Sequence, residues 1–521
     1  MFYRQVSWPS DFVKVHLEQK SSTAVLQIAD FRLAFCRAAI MMAEFPILPR
    51  DSTLSNTSDR SSTSTATPAP AVARNRGRLL QVLGVWFGVS AAIGNSIAAG
   101  IVRTPGDIAK VLPRTWLFLG VWVVGGLYAL FGASSLAELG AAIPRSGGQY
   151  NFSRRAIGEY AGFIVGWSDW LSTCGTAAAV GIVIAEYSGD LFPVLAGHVK
   201  MIAVCIIVGF GVLQWRGIRW GSGAQILTAA TKTIAFLILL VACFVLGGHA
   251  RAAAPAAATP PPAMPAGWGL AVAIILGLQA VVFTIDGWDG IIYFGEEVRN
   301  PGRDVPRAIF GSVFTIMGIY LLLNTAVVYV LPMNEIAGNN FALGTVAARI
   351  FGAYGDPIIR SIMVISMLSC INANQLFCTR TLHAMSCDGL FFRPVAKVNA
   401  GGTPALALLL STIAGVLFVL GSFERVIAML SFFFVANYTL SYASLFLLRK
   451  REPEMARPYR AWGYPWTTGI ALLASAIFLV GSILTDRQNA PWALAMLVLS
   501  YPVFRLLKWT SSKTASPATG S

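Results

Sequence analysis

Two carboxylates and two glycines interrupt an otherwise apolar stretch: Asp286-Gly287-Trp288-Asp289-Gly290 lies inside the run 268–294. Glycine and aspartate are poor helix formers, so a helix entering this run is expected to break here. In hydrocarbon, the carbonyls and amides freed by a break must be satisfied by protein, water or a bound solute. Unwound backbone at mid-depth can hold a zwitterion. Carbonyls ending one half-helix attract an ammonium group, and amides starting the other attract a carboxylate, helped by the helix dipole. A kinked structural helix whose acids face a water-filled vestibule is the alternative reading of the same residues.

Two further places carry chemistry. Ser96-Ile97-Ala98-Ala99-Gly100-Ile101 precedes Arg103-Thr104-Pro105-Gly106. Gly94, Asn95, Ser96 and Gly100 favour a break, whereas Ala98 and Ala99 favour helix, so this segment alone is the weaker signal. Lys232 sits in Thr231-Lys232-Thr233, well inside the run 221–247 and too deep to snorkel to either surface. A charge at that depth costs about 2.5–3.5 kcal/mol on insertion scales. Burial favours the neutral amine, which makes Lys232 a group that could gain and lose a proton. A permanently charged lysine fixed by helix-end carbonyls is the competing reading.

The elements that must position these residues are membrane helices. Of the 521 residues, 55% are hydrophobic and 12% charged, about half the roughly 25% of a soluble domain. Residues 79–102 and 115–137 contain no charge, and each is long enough to cross about 30 Å of hydrocarbon. The runs lack the short alternating segments of a β-barrel. About twelve segments follow: 79–102, 115–138, 160–187, 199–215, 221–247, 268–294, 307–332, 358–378, 403–422, 426–448, 466–485 and 490–507. The net charge of +15 concentrates in alternate loops, for example Arg145, Arg154 and Arg155 after the second segment and Arg449, Lys450 and Arg451 after the tenth. That is the pattern of cytoplasmic loops, with both termini cytoplasmic, rather than of nucleic-acid binding.

The first and sixth segments, both interrupted, each begin a set of five. Corresponding broken segments point to an inverted-repeat transporter with its site at the midplane. The expected organisation is a cytoplasmic tail 1–78, repeats at about 79–247 and 268–448, extra helices at about 466–507 and a cytoplasmic tail 508–521. The stretch 52–73, rich in Ser, Thr, Pro and Ala, reads as disordered, and translation from Met41 or Met42 is one hypothesis for the tail. The Ala/Pro run 252–265 reads as a flexible loop. The amphipathic stretch Leu343 to Phe351 is either a lid across the outer mouth or a surface helix. The seven cysteines and four histidines show no metal-ligand spacing, so no cofactor or metal site is expected.

In this order along the chain, several motifs together resemble the amino acid–polyamine–organocation (APC) superfamily of amino acid permeases. They are Ile97-Ala98-Ala99-Gly100-Ile101 with Thr104-Pro105-Gly106; Glu138-Leu139-Gly140-Ala141-Ala142-Ile143-Pro144-Arg145-Ser146-Gly147-Gly148-Gln149-Tyr150; and Phe283-Thr284-Ile285-Asp286-Gly287-Trp288 with Gly295-Glu296-Glu297-Val298-Arg299-Asn300-Pro301. Asn372-Ala373-Asn374 with Arg380 and Asp388-Gly389-Leu390, and then Arg457-Pro458-Tyr459, complete the set.

The resemblance implies an all-α polytopic membrane protein with a LeuT-type 5+5 inverted repeat. It implies a substrate carboxylate on amides near Ala98, Ala99 and Gly100, and an amine on carbonyls near Ser96 or Ile97 and near Phe283, Thr284 and Asp286. The side-chain pocket would draw on Thr284, Ile285 and the third segment. Lys232 matches a lysine that related members place where sodium binds in sodium-coupled relatives, with Ser366 and Ser369 near that region. The chain departs from the family pattern at Ala98, where glycine is usual. The added methyl would shorten the unwound stretch or narrow the site.

The function expected on these grounds is secondary active transport of amino acids by alternating access. It would be sodium-independent, a proton symport or an exchange, in the cell inner (plasma) membrane. The partners are then an amino acid, protons and the lipid bilayer, with no nucleic acid. A polyamine or amine exchanger of the same fold is kept open by Asp286 and Asp289. A non-transporting amino-acid sensor would want a folded, interaction-rich tail. An enzyme would want a nucleophile–base cluster, and the sequence displays none at helical spacing.

Overall fold

The computed structural model describes residues 79–252, 263–421, 423–485 and 490–513. The expectations for the 1–78 tail, for a start at Met41 or Met42, and for the centre of the Ala/Pro loop lie outside the described residues. Among the described residues every regular element is helical; extended pairing is limited to two isolated bridges, Leu83 with Val298 and Ser146 with Phe294.

The helices follow the expected order. α1 (Val85–Ser96) and α2 (Gly100–Val111) form the broken first span and are bent by 52°. α3 (Thr115–Ala142), the short α4 (Tyr150–Ala156), α5 (Glu159–Leu191), α6 (Val199–Trp215) and α7 (Ile218–Ala252) complete the first set. α8 (Trp268–Ile285) is the first half of the broken sixth span, followed by a 3-10 turn, Gly290–Tyr293. α9 (Pro301–Val330), α10 (Met333–Ile336), α11 (Ala342–Phe351), α12 (Gly355–Cys387), α13 (Ala405–Leu420) and α14 (Phe423–Arg451) follow, then α15 (Trp466–Thr485) and α16 (Ala490–Lys513). Among the described residues, six helices are long and apolar enough to cross a membrane, and the bent α1–α2 pair makes a seventh. α6, α13 and residues 466–481 of α15 are shorter apolar helices.

Packing places the two breaks at the centre. α12 lies along α5, and α9 along α3. α1 is gripped by α7, α9 and α12, whereas α2 leans on α8. The contacting faces are rich in small side chains, such as Ala129, Ala133 and Ala137 of α3 and Cys174, Ala177 and Ala178 of α5, all buried. Without a hydrophobic drive between helices in lipid, such residues let backbones approach closely enough for dispersion to hold them. α11 is more than a surface helix: Leu343, Val346 and Ala347 are buried, and the helix packs on α12, α7 and the half-helix α2.

The Arg-rich face is cross-tied by ion pairs. Asp388, at the end of α12, receives Arg145 at 3.0 Å, Arg154 at 2.8 Å and the Tyr150 hydroxyl at 3.0 Å. Glu138 of α3 binds Arg449 at 2.5 Å and Arg457 at 3.1 Å. Arg380 of α12 meets Glu297 through two hydrogen bonds, at 3.0 and 3.1 Å, with both side chains fully buried. Bidentate geometry of this kind is the strong form of the interaction.

Candidate functional site

The first break is three residues long, Ile97 to Ala99, between the end of α1 and the start of α2. Close packing at the break begins with Gly94, where a Cβ would run into the Gln225 side chain. A methyl there would displace the Gln225 amide from Ser90 O and Ser369 Oγ. Ile97 turns the chain out of helix at φ −80°, ψ 84°. Two carbonyls of the break are already doubly engaged. Ser96 O accepts from the Ala98 amide at 2.9 Å and lies 2.6 Å from the Tyr320 hydroxyl. Ile97 O accepts from Lys232 Nζ at 2.9 Å and from Ser366 Oγ at 2.6 Å. The amides opening α2 have no preceding helical turn to bond to, and Ala98, Ala99 and Gly100 are partly accessible.

The second break starts where α8 ends at Ile285. Asp286 is extended, and Gly287 has φ +96°, a conformation that a side chain disfavours. The Trp288 ring stacks on Tyr438 at 5.5 Å, fixing the unwound strand against α14. The carbonyls of the last turn of α8 lack helical donors. One of them, Thr284 O, lies 3.2 Å from the Tyr320 hydroxyl. A single phenol therefore spans both breaks. Thr284 Oγ1 lies 2.6 Å from Thr104 Oγ1 and donates to Ala280 O at 2.7 Å, which ties α2 to α8.

Lys232 is fully buried and donates to Gly94 O and Ile97 O, both at 2.9 Å. Its ammonium thus occupies the end of α1, where carbonyls lose their helical partners and the dipole favours a cation. Ser366 joins it on Ile97 O. Ser369, one turn further along α12, instead accepts from Gln225 at 3.1 Å, and Gln225 also donates to Ser90 O.

Beside the breaks lies a small cavity of about 20 Å³. Asn95, Asp286 and Gly287 contribute from the breaks, Asp169 and Thr173 from α5, and Asn437 and Tyr438 from α14. Of the elements expected in the side-chain pocket, the third span is there; Asp286, expected at the substrate amine, lines the cavity too. The Thr284 side chain faces α2 instead, Ile285 is packed in the core, and Phe283 is 40% exposed on the outside of α8. Only backbone atoms of Phe283 can face the break.

Sequence reasoning gave no role to three residues that the fold brings in, although Asn374 stood in one of the motifs. Tyr320 reads as an ordinary aromatic in the apolar run 307–332, and only a partner for its hydroxyl distinguishes it. Asp169 was detectable, as a carboxylate inside a membrane segment. Asn374 donates to Asn95 Oδ1 at 2.7 Å, clamping α12 to α1.

Comparison with known proteins identifies the family. A family described as "Amino acid permease" matches residues 80–503. The serine/threonine exchanger SteT of Bacillus subtilis (strain 168) is 26% identical over 444 residues, 82% of this chain and 97% of that protein. Human Asc-type amino acid transporter 1 is 27% identical, covering 85% of each chain. Human large neutral amino acids transporter small subunit 2 is 27% identical, covering 80% of this chain and 78% of its own. This multi-pass membrane protein of LeuT-type fold belongs to the amino acid permease family.

Proposed function

We propose that the chain carries amino acids by alternating access, with the zwitterion bridging the two breaks. The observation that carries this reading is that two interrupted helices face each other and share one hydroxyl, Tyr320, between Ser96 O and Thr284 O. The substrate carboxylate rests on the amides of Ala99 and Gly100 at the start of α2, the Ala98 amide being committed to Ser96 O. Its ammonium group takes the carbonyls ending α8, around Phe283, Thr284 and Asp286. The Ser96 and Ile97 carbonyls each have two donors already, so they shape the site more than they bind.

Lys232 stands where a coupling cation would bridge α1 and α12, which favours sodium-independent operation. Losing its proton would leave two N–H donors for Gly94 O and Ile97 O but remove the charge that strengthens both bonds, and so loosen α1. Proton symport and proton-modulated exchange both follow from that link. The ion pairs of the Arg-rich face would open when the substrate is released to the cytoplasm, with α11 closing the opposite mouth. The Arg-rich loops favour a cytoplasmic position for that face and for both termini, and the plasma membrane is the membrane in which such a carrier would work.

The test is uptake of a panel of amino acids into proteoliposomes, with and without sodium and a pH gradient. Saturable, sodium-independent uptake or counterflow is expected. Strict sodium dependence would sink the assignment to Lys232, and failure of every amino acid to bind would sink the transport reading.

A further inference from the structure

The cavity beside the breaks is walled by three carboxylates, Asp169, Asp286 and Asp289, and no lysine or arginine lines it. None of the three enters an ion pair among the described residues. Lys232 is engaged by backbone carbonyls instead.

Every side-chain donor these acids have is neutral. Asp169 accepts from the Tyr293 hydroxyl at 2.8 Å and from Thr381 Oγ1 at 2.9 Å. Asp289 accepts from Gln149 Nε2 at 2.9 Å and from the Tyr438 hydroxyl at 3.2 Å. Hydrogen bonds from neutral groups orient these acids, and among the described residues no fixed positive charge stands beside them.

A second observation at the same cavity is independent of the acids. Asn437 lines it, is 2% exposed, and its Nδ2 has no partner. The Ser168 hydroxyl has one proton and two acceptors within reach, Val165 O at 3.2 Å and Asn437 Oδ1 at 3.0 Å. Turned so that Nδ2 donates to Ser168 Oγ while the Ser168 proton goes to Val165 O, the Asn437 amide leaves its Oδ1, an acceptor, open at the cavity. Buried polar atoms are rarely left without a partner.

We propose that this cavity is a side-chain subsite for a primary ammonium group, so that the transported amino acid ends in –NH₃⁺, as lysine and ornithine do. The inference rests on the zwitterion reading of the two breaks. The cavity begins at Asn95, Asp286 and Gly287, where that reading puts the head of the substrate, and extends toward Asp169 and Asp289. Its volume of about 20 Å³ exceeds the roughly 10–15 Å³ needed for one water-sized group. A terminal ammonium is that size and donates three hydrogen bonds, whereas a planar guanidinium needs more room. The assignment sets this chain apart from relatives whose names specify serine, threonine or large neutral amino acids.

The experiment is uptake by the full chain in proteoliposomes, comparing lysine, ornithine, arginine, norleucine and putrescine. Norleucine retains the aliphatic side chain of lysine without the terminal amine. Lysine and ornithine are expected to exceed norleucine at least about tenfold in kcat/KM, the scale at which a site built for a polar group rejects the analogue lacking it, with arginine behind both. Asp169→Asn and Asp289→Asn should each lower the lysine-to-norleucine ratio by about tenfold, and a ratio cancels any loss of folded protein.

Norleucine carried better than lysine by the unaltered chain would overturn the subsite while leaving amino acid transport intact. An unchanged ratio in both variants, with a shifted pH profile, would overturn it too and assign the acids to protons. Putrescine carried as well as lysine would uphold the ammonium subsite and overturn the carboxylate contact at α2. Binding of none of the five would overturn both readings.

Discussion

Lys232 Nζ lies 2.9 Å from the carbonyl oxygen of Ile97, the residue at which α1 leaves the helix. One side chain of α7 thereby holds the end of α1 in place of the turn that the break removes. Lys232→Ala would leave Gly94 O without that donor and Ile97 O with Ser366 alone. Each buried unmade hydrogen bond costs about 1–3 kcal/mol. Uptake in proteoliposomes is expected to fall at least about tenfold and to lose its dependence on an imposed pH gradient. Unchanged uptake with an unchanged pH response would remove Lys232 from the mechanism.

Tyr320→Phe deletes only an oxygen, yet that oxygen spans Ser96 O and Thr284 O. The ring stays packed edge-on to Trp122 at 5.6 Å, so the fold should survive. The relative position of the breaks should loosen, raising KM by roughly tenfold for about 1–3 kcal/mol of lost hydrogen bonding. Equilibrium binding to the purified variant checks this, and wild-type affinity would show the hydroxyl to be dispensable.

Arg380→Met would strand Glu297 in a site with no exposure. Removing one member of a buried pair costs about 3–5 kcal/mol, whereas replacing both by apolar residues is often neutral. Arg380→Met should therefore lower thermal stability in nanodiscs strongly, and adding Glu297→Leu should recover most of it. A double variant no more stable than the single would mean that the pair acts through something other than its charge.

The Arg155–Glu452 pair should be weak and insensitive to pH near neutrality. Hydrogen bonding to Arg155 holds the Glu452 carboxyl below the usual glutamate range. A lowered carboxyl stabilises the fold above its unfolded value, about 4.3, and that contribution fades as pH falls through the lower folded value. Both side chains are substantially exposed, so Arg155→Ala should cost less than about 1 kcal/mol. Melting curves of both proteins should keep a constant offset between about pH 5 and about pH 8 and converge only under acid. An offset that changes across the neutral range would assign the titration to another group.

Much of this protein is legible from local chemistry. Long uncharged runs can only be buried or lipid-facing, so the twelve segments follow from composition and length. Asp286-Gly287 cannot continue a helix comfortably, so the sixth-span break follows from propensity, and a lysine as deep as Lys232 demands partners. Those partners are another matter. Gly94 O and Ile97 O lie about 135 residues away in sequence, and no spacing rule connects them to Lys232. The gathering of Asp169 from α5 with Asp289 around one cavity, and the reach of Tyr320 from α9 to both breaks, likewise depend on which helix faces pack. Sequence records which groups cannot remain unsatisfied in a low-dielectric interior. Tertiary packing alone selects the groups that satisfy them, because each contact joins helices whose separation along the chain carries no information about their separation in space.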